Sequence, residues 1–409
     1  MKEPNIRFNG FRGEWKTSII GDIATFSKGR GYSKSDLRSE GNPIVLYGRL
    51  YTNYSSVIES VDTFASLQNG SVLTKGNEVI IPGSGETPED IAVASAVEQK
   101  GVILGGDLNV LTFDQEKISP AFAAMSITYS NTHNELSGYA QGKTVVHLNN
   151  SSISKGHISY PYIEEQRAIA SYFQHLDSLI QSTTKKIESL KQVKGASLQS
   201  MFPQEGETTP RVRFKGFEGE WEKKTLGDCL TINNERNQSN VYGINDVLSV
   251  SDEVGVVNQI KLLGRSYAGK SVVNYRVLKT NQIVYTKSPL KSKPYGIIKV
   301  NKGDIGIVSV LYAVYDANEN VYPDYIHYYF EPIHRINNYL LPLINKGAKN
   351  TMNISDEMAL TGNIWIPSLE EQKKIADYLQ ALDSQITLQT LRLEKLKQIK
   401  AACLDNMFV

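Results

Sequence analysis

One long segment occurs twice in this chain, and that repeat limits what it can fold into. Glu164 to Phe202 returns as Glu370 to Phe408, displaced by 206 positions at both ends and without a gap, and 21 of the 39 aligned residues are identical. Within each copy apolar residues recur at helical spacing: Leu176, Ile180, Ile187 and Leu190 in the first, Leu382, Ile386, Leu393 and Leu396 in the second. Each set is an a/d-type seam that needs a facing helix. Lys185, Lys186, Glu188, Lys191 and Gln192 cover the other faces, which fits a helix pair standing partly in solvent. At 1.5 Å per residue each helix would run about 58 Å, longer than a small domain is wide, so the pair reads as a spacer.

The helix starts are marked chemically. Pro161 and Pro367 stop the preceding extended segments, Glu164-Glu165 and Glu370-Glu371 put acids in the first turn, and Ser368 with Glu371 has capping-box spacing; the first copy has Tyr162 instead of a capping serine. Gly195 stands where the second copy has Ala401. The first helix is therefore expected to be softer, by about 0.5–1 kcal/mol.

The repeat also covers the openings. Pro4 to Trp15 matches Pro210 to Trp221 at the same displacement, and Gly21-Asp22 matches Gly227-Asp228, whereas residues 22–156 and 228–362 share almost nothing. Equal frames with unequal contents suggest one scaffold presenting two different recognition surfaces. The expected organisation is a variable domain at 1–157, a helix at 158–202, a linker at 203–209 with Gly206 and two threonines, a second variable domain at 210–363 and a helix at 364–409. The variable domains read as mixed α/β. Glu78 to Pro82, Gly101 to Leu104, Val247 to Val250, Gln282 to Thr286 and Gly306 to Leu311 have strand character, and Pro120 to Tyr129 and Tyr325 to Tyr339 read as helices, the latter with core aromatics.

A net charge of +1 argues neither for nor against nucleic acid, so only local distribution can. Lys261 to Lys302 holds ten basic residues and no acidic one, with Tyr267, Tyr275, Tyr285 and Tyr295 interleaved. Such a stretch suits phosphate tracking, and Lys279, Tyr285, Lys287, Lys291, Lys293, Tyr295 and Lys299 are its candidate contacts, with Thr286 to Pro294 expected to project toward a partner. The alternative is a solvated face balanced by acids elsewhere. Residues 22–156 carry 10 basic and 14 acidic residues, but their cations cluster early, and Arg30, Tyr47 and Arg49 are the candidates there. Gly83 to Pro88 reads as a turn. Gly138 to Thr144 imitates a phosphate loop but has three residues between its glycines where the motif needs four; Lys143 aligns with Lys349, and both are candidate phosphate contacts.

No methyltransferase tetrad, nucleophile elbow or paired Cys or His spacing is present, so neither a catalytic centre nor a metal site is expected. Cys229 and Cys403 are not repeat-equivalent and suggest no disulfide framework, the opening residues are polar, and no run approaches 18 apolar residues. A cytoplasmic location is the simplest expectation.

The block Ile366 to Asp383, with Pro367, Glu370-Glu371-Gln372, Ile375-Ala376 and Leu382-Asp383, resembles the conserved region of specificity subunits of Type I restriction–modification systems. The first copy keeps Pro161, Glu164-Glu165-Gln166, Ile169-Ala170 and Leu176-Asp177. The resemblance runs the full length. It implies an α+β fold with two mixed α/β target-recognition domains, joined by two long antiparallel coiled-coil helices in an internal pseudo-twofold repeat. It implies a subunit without catalysis or cofactor of its own that reads a bipartite double-stranded DNA target, one half-site per domain. Its partners would be two modification subunits, which bind S-adenosylmethionine and methylate adenine, and restriction subunits acting as ATP- and magnesium-dependent motor and nuclease. Glu165, Gln166, Glu371 and Gln372 with the eight seam residues are the expected spacer and partner-docking positions. An enzyme in its own right and a purely structural coiled-coil adaptor are the alternatives.

Overall fold

The computed structural model describes residues 3–269, 271–290, 293–346 and 352–409. Its two long helices are Ile163–Ser200 and Leu369–Met407, each starting one residue before the repeated Glu-Glu-Gln block; residues 158–160 and 364–366, expected within the helical segments, are strand instead, ended by Pro161 and Pro367. Contacts divide the chain into two units, one of residues up to Thr184 together with Leu391–Val409, the other of Lys185–Thr390. Each unit therefore contains the first half of one repeated helix and the second half of the other.

In the first unit, strand Lys16–Ile19 pairs antiparallel with His157–Tyr160, closing the variable segment just before the helix begins. A five-stranded sheet lies within that closure, in the order Ala24–Lys28, Leu108–Phe113, Glu78–Pro82, Ser95–Val97 and Val57–Ile58. All its pairings are antiparallel except the last, between Val57–Ile58 and Ser95–Val97. Glu78–Pro82 is buried along its whole length, which explains why it reads as a continuous apolar run rather than an alternation. Its one acid, Glu78, accepts hydrogen bonds from the backbone N–H groups of Lys75, Gly76 and Asn77, so the buried carboxylate shapes the turn before the strand. Helix Pro120–Tyr129 lies where the sequence places it, with proline at its first turn. The core closes around Trp15, Phe122 and Phe173, and its last pieces come from the end of the second long helix and the residue after it: Leu404, Met407 and Phe408. The Phe408 ring lies 5.9 Å from Phe173 and 5.8 Å from Phe122.

The second unit repeats this plan. Glu222–Thr225 pairs antiparallel with Asn363–Ile366, and the main sheet runs Leu230–Ile232, Ala313–Ala317, Ile283–Tyr285, Ile298–Val300, all antiparallel. The single helix expected over Tyr325 to Tyr339 is two, Pro323–Tyr329 and Ile333–Leu340. Pro332 has no N–H to give and its ring crowds the preceding turn, so the first helix stops and the second starts from it. Tyr325, Tyr328, Tyr329 and Phe330 are buried, as expected of core aromatics. Phe202, two residues past the end of the first long helix, fills the space among Tyr325, Tyr329 and Trp221 at 5.5, 5.8 and 6.3 Å. The buried Arg335 lies 4.6 Å over the Phe202 ring and donates to the Leu198 carbonyl at 2.9 Å, capping the carbonyl end of that helix.

His327 is held well below its ordinary value of 6.5, first by burial and then by Lys299, Lys194, Lys302 and Lys293. Its Nδ1 is covered and has no hydrogen-bond partner among the described residues. In acid the unfolded chain takes up a proton here that the folded unit refuses, so stability is complete above the unfolded value of 6.5 and falls below it. The expected loss is up to about 1.4 kcal/mol per pH unit from this group. Melting curves between neutral and mildly acidic pH should be flatter for His327→Leu than for the wild type; equal slopes would show that the proton is taken up elsewhere.

Candidate nucleic-acid interface

The repeated frame is locked by a buried ion pair in each unit. Arg7 grips both oxygens of Glu165 at 2.7 Å and donates to the Gly13 and Arg12 carbonyls at 2.7 and 3.2 Å. Arg213 grips Glu371 at 2.7 Å twice and donates to the Gly219 and Glu218 carbonyls at 2.6 and 3.2 Å. Both carboxylates are 1% exposed, and the hydrogen bond to each holds its arginine above the ordinary guanidinium value. Gln166 and Gln372 are equally enclosed. Gln166 donates to the Pro161 and Lys117 carbonyls and accepts from Ser119 N–H, and Gln372 donates to those of Pro367 and Asn320 and accepts from Tyr322 N–H.

These contacts correct two expectations. Glu165, Gln166, Glu371 and Gln372 fasten the helix base to its own unit and leave no polar atoms free for partner docking. The capping box at Ser368 is half made: Glu371 N–H reaches Ser368 Oγ at 3.4 Å, but the Glu371 carboxylate goes to Arg213.

The helix pairing is antiparallel in each unit. In the first, Lys400 binds Asp177 at 2.5 Å and Tyr172 OH lies 3.6 Å from Cys403 Sγ. In the second, the repeat-equivalent Lys194 binds Asp383 at 2.6 Å and Ser197 Oγ lies 3.3 Å from Tyr378 OH. Burial alone would lower the Lys194 ammonium, but Glu331 and Asp383 outweigh it and hold it above its ordinary value. Of the seam residues Leu176, Ile187 and Leu382 are buried, and Ile180, Leu190, Ile386, Leu393 and Leu396 are half-buried, so the seam faces inward as its spacing requires.

In the first unit three loops converge on Leu104–Asp107. Arg30 N–H donates to Leu104 O at 3.0 Å, Gly105 N–H to Val45 O at 2.9 Å beside the Tyr47 loop, and Gly83 N–H to Asp107 O at 2.7 Å. A Cβ on Gly29 would collide with the Gly105 carbonyl oxygen, which is why glycine stands at this crossing. Tyr47 and Tyr51 are exposed edge to face at 6.4 Å, and Tyr51 OH reaches Ser84 O at 2.5 Å. Ser84–Gly85 in turn pairs with Val146–His147, whose loop carries the exposed Lys143. The structure thus gathers Arg30, Tyr47 and Lys143 on neighbouring loops. Arg49 differs: its guanidinium is held by Asp62 at 2.8 Å. The phosphate-loop imitation spans the end of helix Asn131–Tyr139, with no strand leading into it, as a true phosphate loop would need.

In the second unit the basic run is largely neutralised. Arg276 and Lys287 share Asp356 at 2.5 and 2.6 Å, Lys279 binds Glu235 at 2.5 Å, Lys293 and Lys299 share Asp252 at 2.7 and 3.5 Å, and Lys302 pairs with Asp324. Lys293 and Lys299 are buried, and burial lowers the Lys299 ammonium. Tyr285 is in the core, donating to the Tyr295 carbonyl at 2.7 Å, and Tyr295 is half-buried. Arg276, Lys287, Lys293 and Lys299 thus supply interior charge to their own unit, whereas Lys279 and Lys302 are paired at its surface. Tyr285, Lys293 and Lys299 cannot serve as DNA contacts in this conformation, and Lys287 is turned inward rather than outward on a projecting tip. Lys270, Lys291 and Lys349 lie outside the described residues.

The family described as Type I restriction modification DNA specificity domain matches residues 12–192 and again 218–398, the same displacement of 206 as the repeat. The chain belongs to that family. Among relatives of this DNA-specificity family, a protein of Methanocaldococcus jannaschii named as a putative type I restriction enzyme MjaX specificity subunit is 24% identical over 335 residues, covering 76% of this chain and 73% of its own. The crystal structure of a Type-I restriction-modification system S subunit from M. genitalium aligns over 100% of this chain and 99% of its own, with a TM-score of 0.59 and 13% identity, and shares the fold. Membership gives the chain a role in DNA sequence specificity and in a restriction–modification complex. No described helix is long and apolar enough to cross a membrane.

The specificity frame also holds a pair that residue-type reasoning passes over. Arg7 and Arg213 stand 158 positions before Glu165 and Glu371, a second constant displacement visible in the sequence.

Proposed function

We propose that this chain is the non-catalytic specificity subunit of a Type I restriction–modification complex and reads a split DNA duplex, one half-site per unit. What supports the reading most is that frame contacts recur residue for residue, Arg7–Glu165 with Arg213–Glu371 and Lys400–Asp177 with Lys194–Asp383, while the surfaces they carry differ. A duplicated frame with two unlike faces suits one duplex with two unlike half-sites. Base-edge contacts would set sequence and phosphate contacts would hold register. Arg30, Tyr47 and Lys143 are the proposed contacts of the first unit. Two modification subunits would supply S-adenosylmethionine and the pocket for a flipped adenine, and restriction subunits would supply ATP- and magnesium-dependent cleavage.

Methylation mapping in a host carrying this chain with its modification subunit tests the proposal. A split adenine-methylated motif is the expected result; a stable complex that leaves no new motif would move the reading to a structural adaptor. A heptad inserted after Ile187 together with one after Leu393 adds about 10 Å to each helix. The gap between half-sites should then widen with both half-sequences unchanged. Altered half-sequences would remove the spacer role.

A further inference from the structure

Six of the ten cations between Lys261 and Lys302 are paired with carboxylates of their own unit, four of them in its interior and Lys279 and Lys302 at its surface, and two lie outside the described residues, so Lys261 and Arg265 remain. Neither has a carboxylate partner among the described residues, and both are exposed. They sit on one small element. Helix Gln259–Leu263 is capped by Asn258, whose Oδ1 accepts from the N–H groups of Ile260 and Lys261 at 3.0 and 3.1 Å, and it ends on Gly264 at a φ of +76°, a left-handed conformation suited to glycine. The chain leaving that helix is pinned: Gln259 Oε1 accepts from Tyr267 N–H at 2.7 Å, and its Nε2 donates to Ser249 Oγ at 3.2 Å. Beyond the turn the Arg265 guanidinium lies 4.6 Å over the ring of Tyr267, which is 61% exposed.

An exposed guanidinium stacked on an exposed ring loses rotamer freedom but keeps its donor edge open. A flat, pre-oriented fork of N–H donors fits the O6 and N7 acceptors of guanine in the major groove, the commonest specific arginine contact. A buttressed support is what base reading needs, since a donor placed an ångström off reads nothing. We propose that Arg265, held by Tyr267, reads a guanine edge in the half-site of the second unit, with Lys261 on an adjacent phosphate. This rests on the DNA-recognition reading above and names the element that performs it.

The test is selection from a random-sequence duplex library by the full chain in complex with its modification subunits. Wild type should enrich a split motif with a guanine in one half-site. Arg265→Ala should lose preference at one G·C pair of that half-site by about ten- to a hundred-fold and keep the other half-site intact. Arg265→Lys should not rescue it, because an ammonium lacks the fork, whereas Tyr267→Phe should behave as wild type. Lys261→Ala should weaken all duplexes alike and lower the salt dependence by roughly one phosphate contact. Uniform weakening by Arg265→Ala, an unchanged motif, or loss of the modification subunits instead of DNA preference would each overturn the assignment. Failure of the wild type to enrich any motif would instead count against DNA recognition by this complex.

Discussion

Replacing Phe408 with alanine is expected to loosen the N-terminal unit while leaving the second unit intact. Phe408 lies far along the chain from its neighbours, yet its ring packs with Phe122, Tyr129 and Phe173, and it belongs to the core that includes Trp15. Removing a buried phenylalanine costs about 3–5 kcal/mol through lost burial and the cavity left behind. That is a large share of a domain's usual stability. Hydrogen exchange should show strands Glu78–Pro82 and Leu108–Phe113 losing protection and Ile283–Tyr285 keeping it. Phe202→Ala should do the reverse, since Phe202 is fully buried beside Tyr325 and Tyr329. Loss of protection in the wrong unit, or in both, would contradict the division of the helices between units.

The second large effect concerns the frame. Arg213→Ala strips a buried carboxylate of its bidentate partner, and Arg7→Ala does the same in the first unit. Breaking such a pair from one side costs about 3–5 kcal/mol, because the charge left behind has neither water nor a partner. The double change Arg213→Met with Glu371→Gln should recover much of that loss, since no buried charge remains. Paired melting curves of the single and double variants read this directly. If Arg213→Ala melted like the wild type, Glu371 would have to be solvated in solution.

The repeat makes the frame legible in the amino-acid order alone. Both helices start within a residue of the repeated Glu-Glu-Gln block, and strand Glu78–Pro82 and helix Pro120–Tyr129 lie where their residue patterns put them. Those elements announce themselves locally, through apolar spacing and proline. The basic run misleads because the acids that neutralise it, Glu235, Asp252, Asp324 and Asp356, all lie outside the run in sequence and reach it only through folding. What is left over, Lys261 and Arg265, can be found only by subtraction. The assignment of helix ends is also closed to sequence reading. Met201-Phe202 and Met407-Phe408 are identical, so nothing in them says which unit each completes.

That exchange of ends sets an order of events during synthesis. The second unit is one continuous stretch, Lys185–Thr390, and can finish as soon as it emerges. The first cannot, since Leu404, Met407 and Phe408 leave the ribosome only after the whole of the second. At roughly 5–20 residues per second the first unit waits on the order of ten seconds or more with its apolar floor open. A chain terminated within the second unit would lack Leu404, Met407 and Phe408 and would leave that floor uncovered by this route.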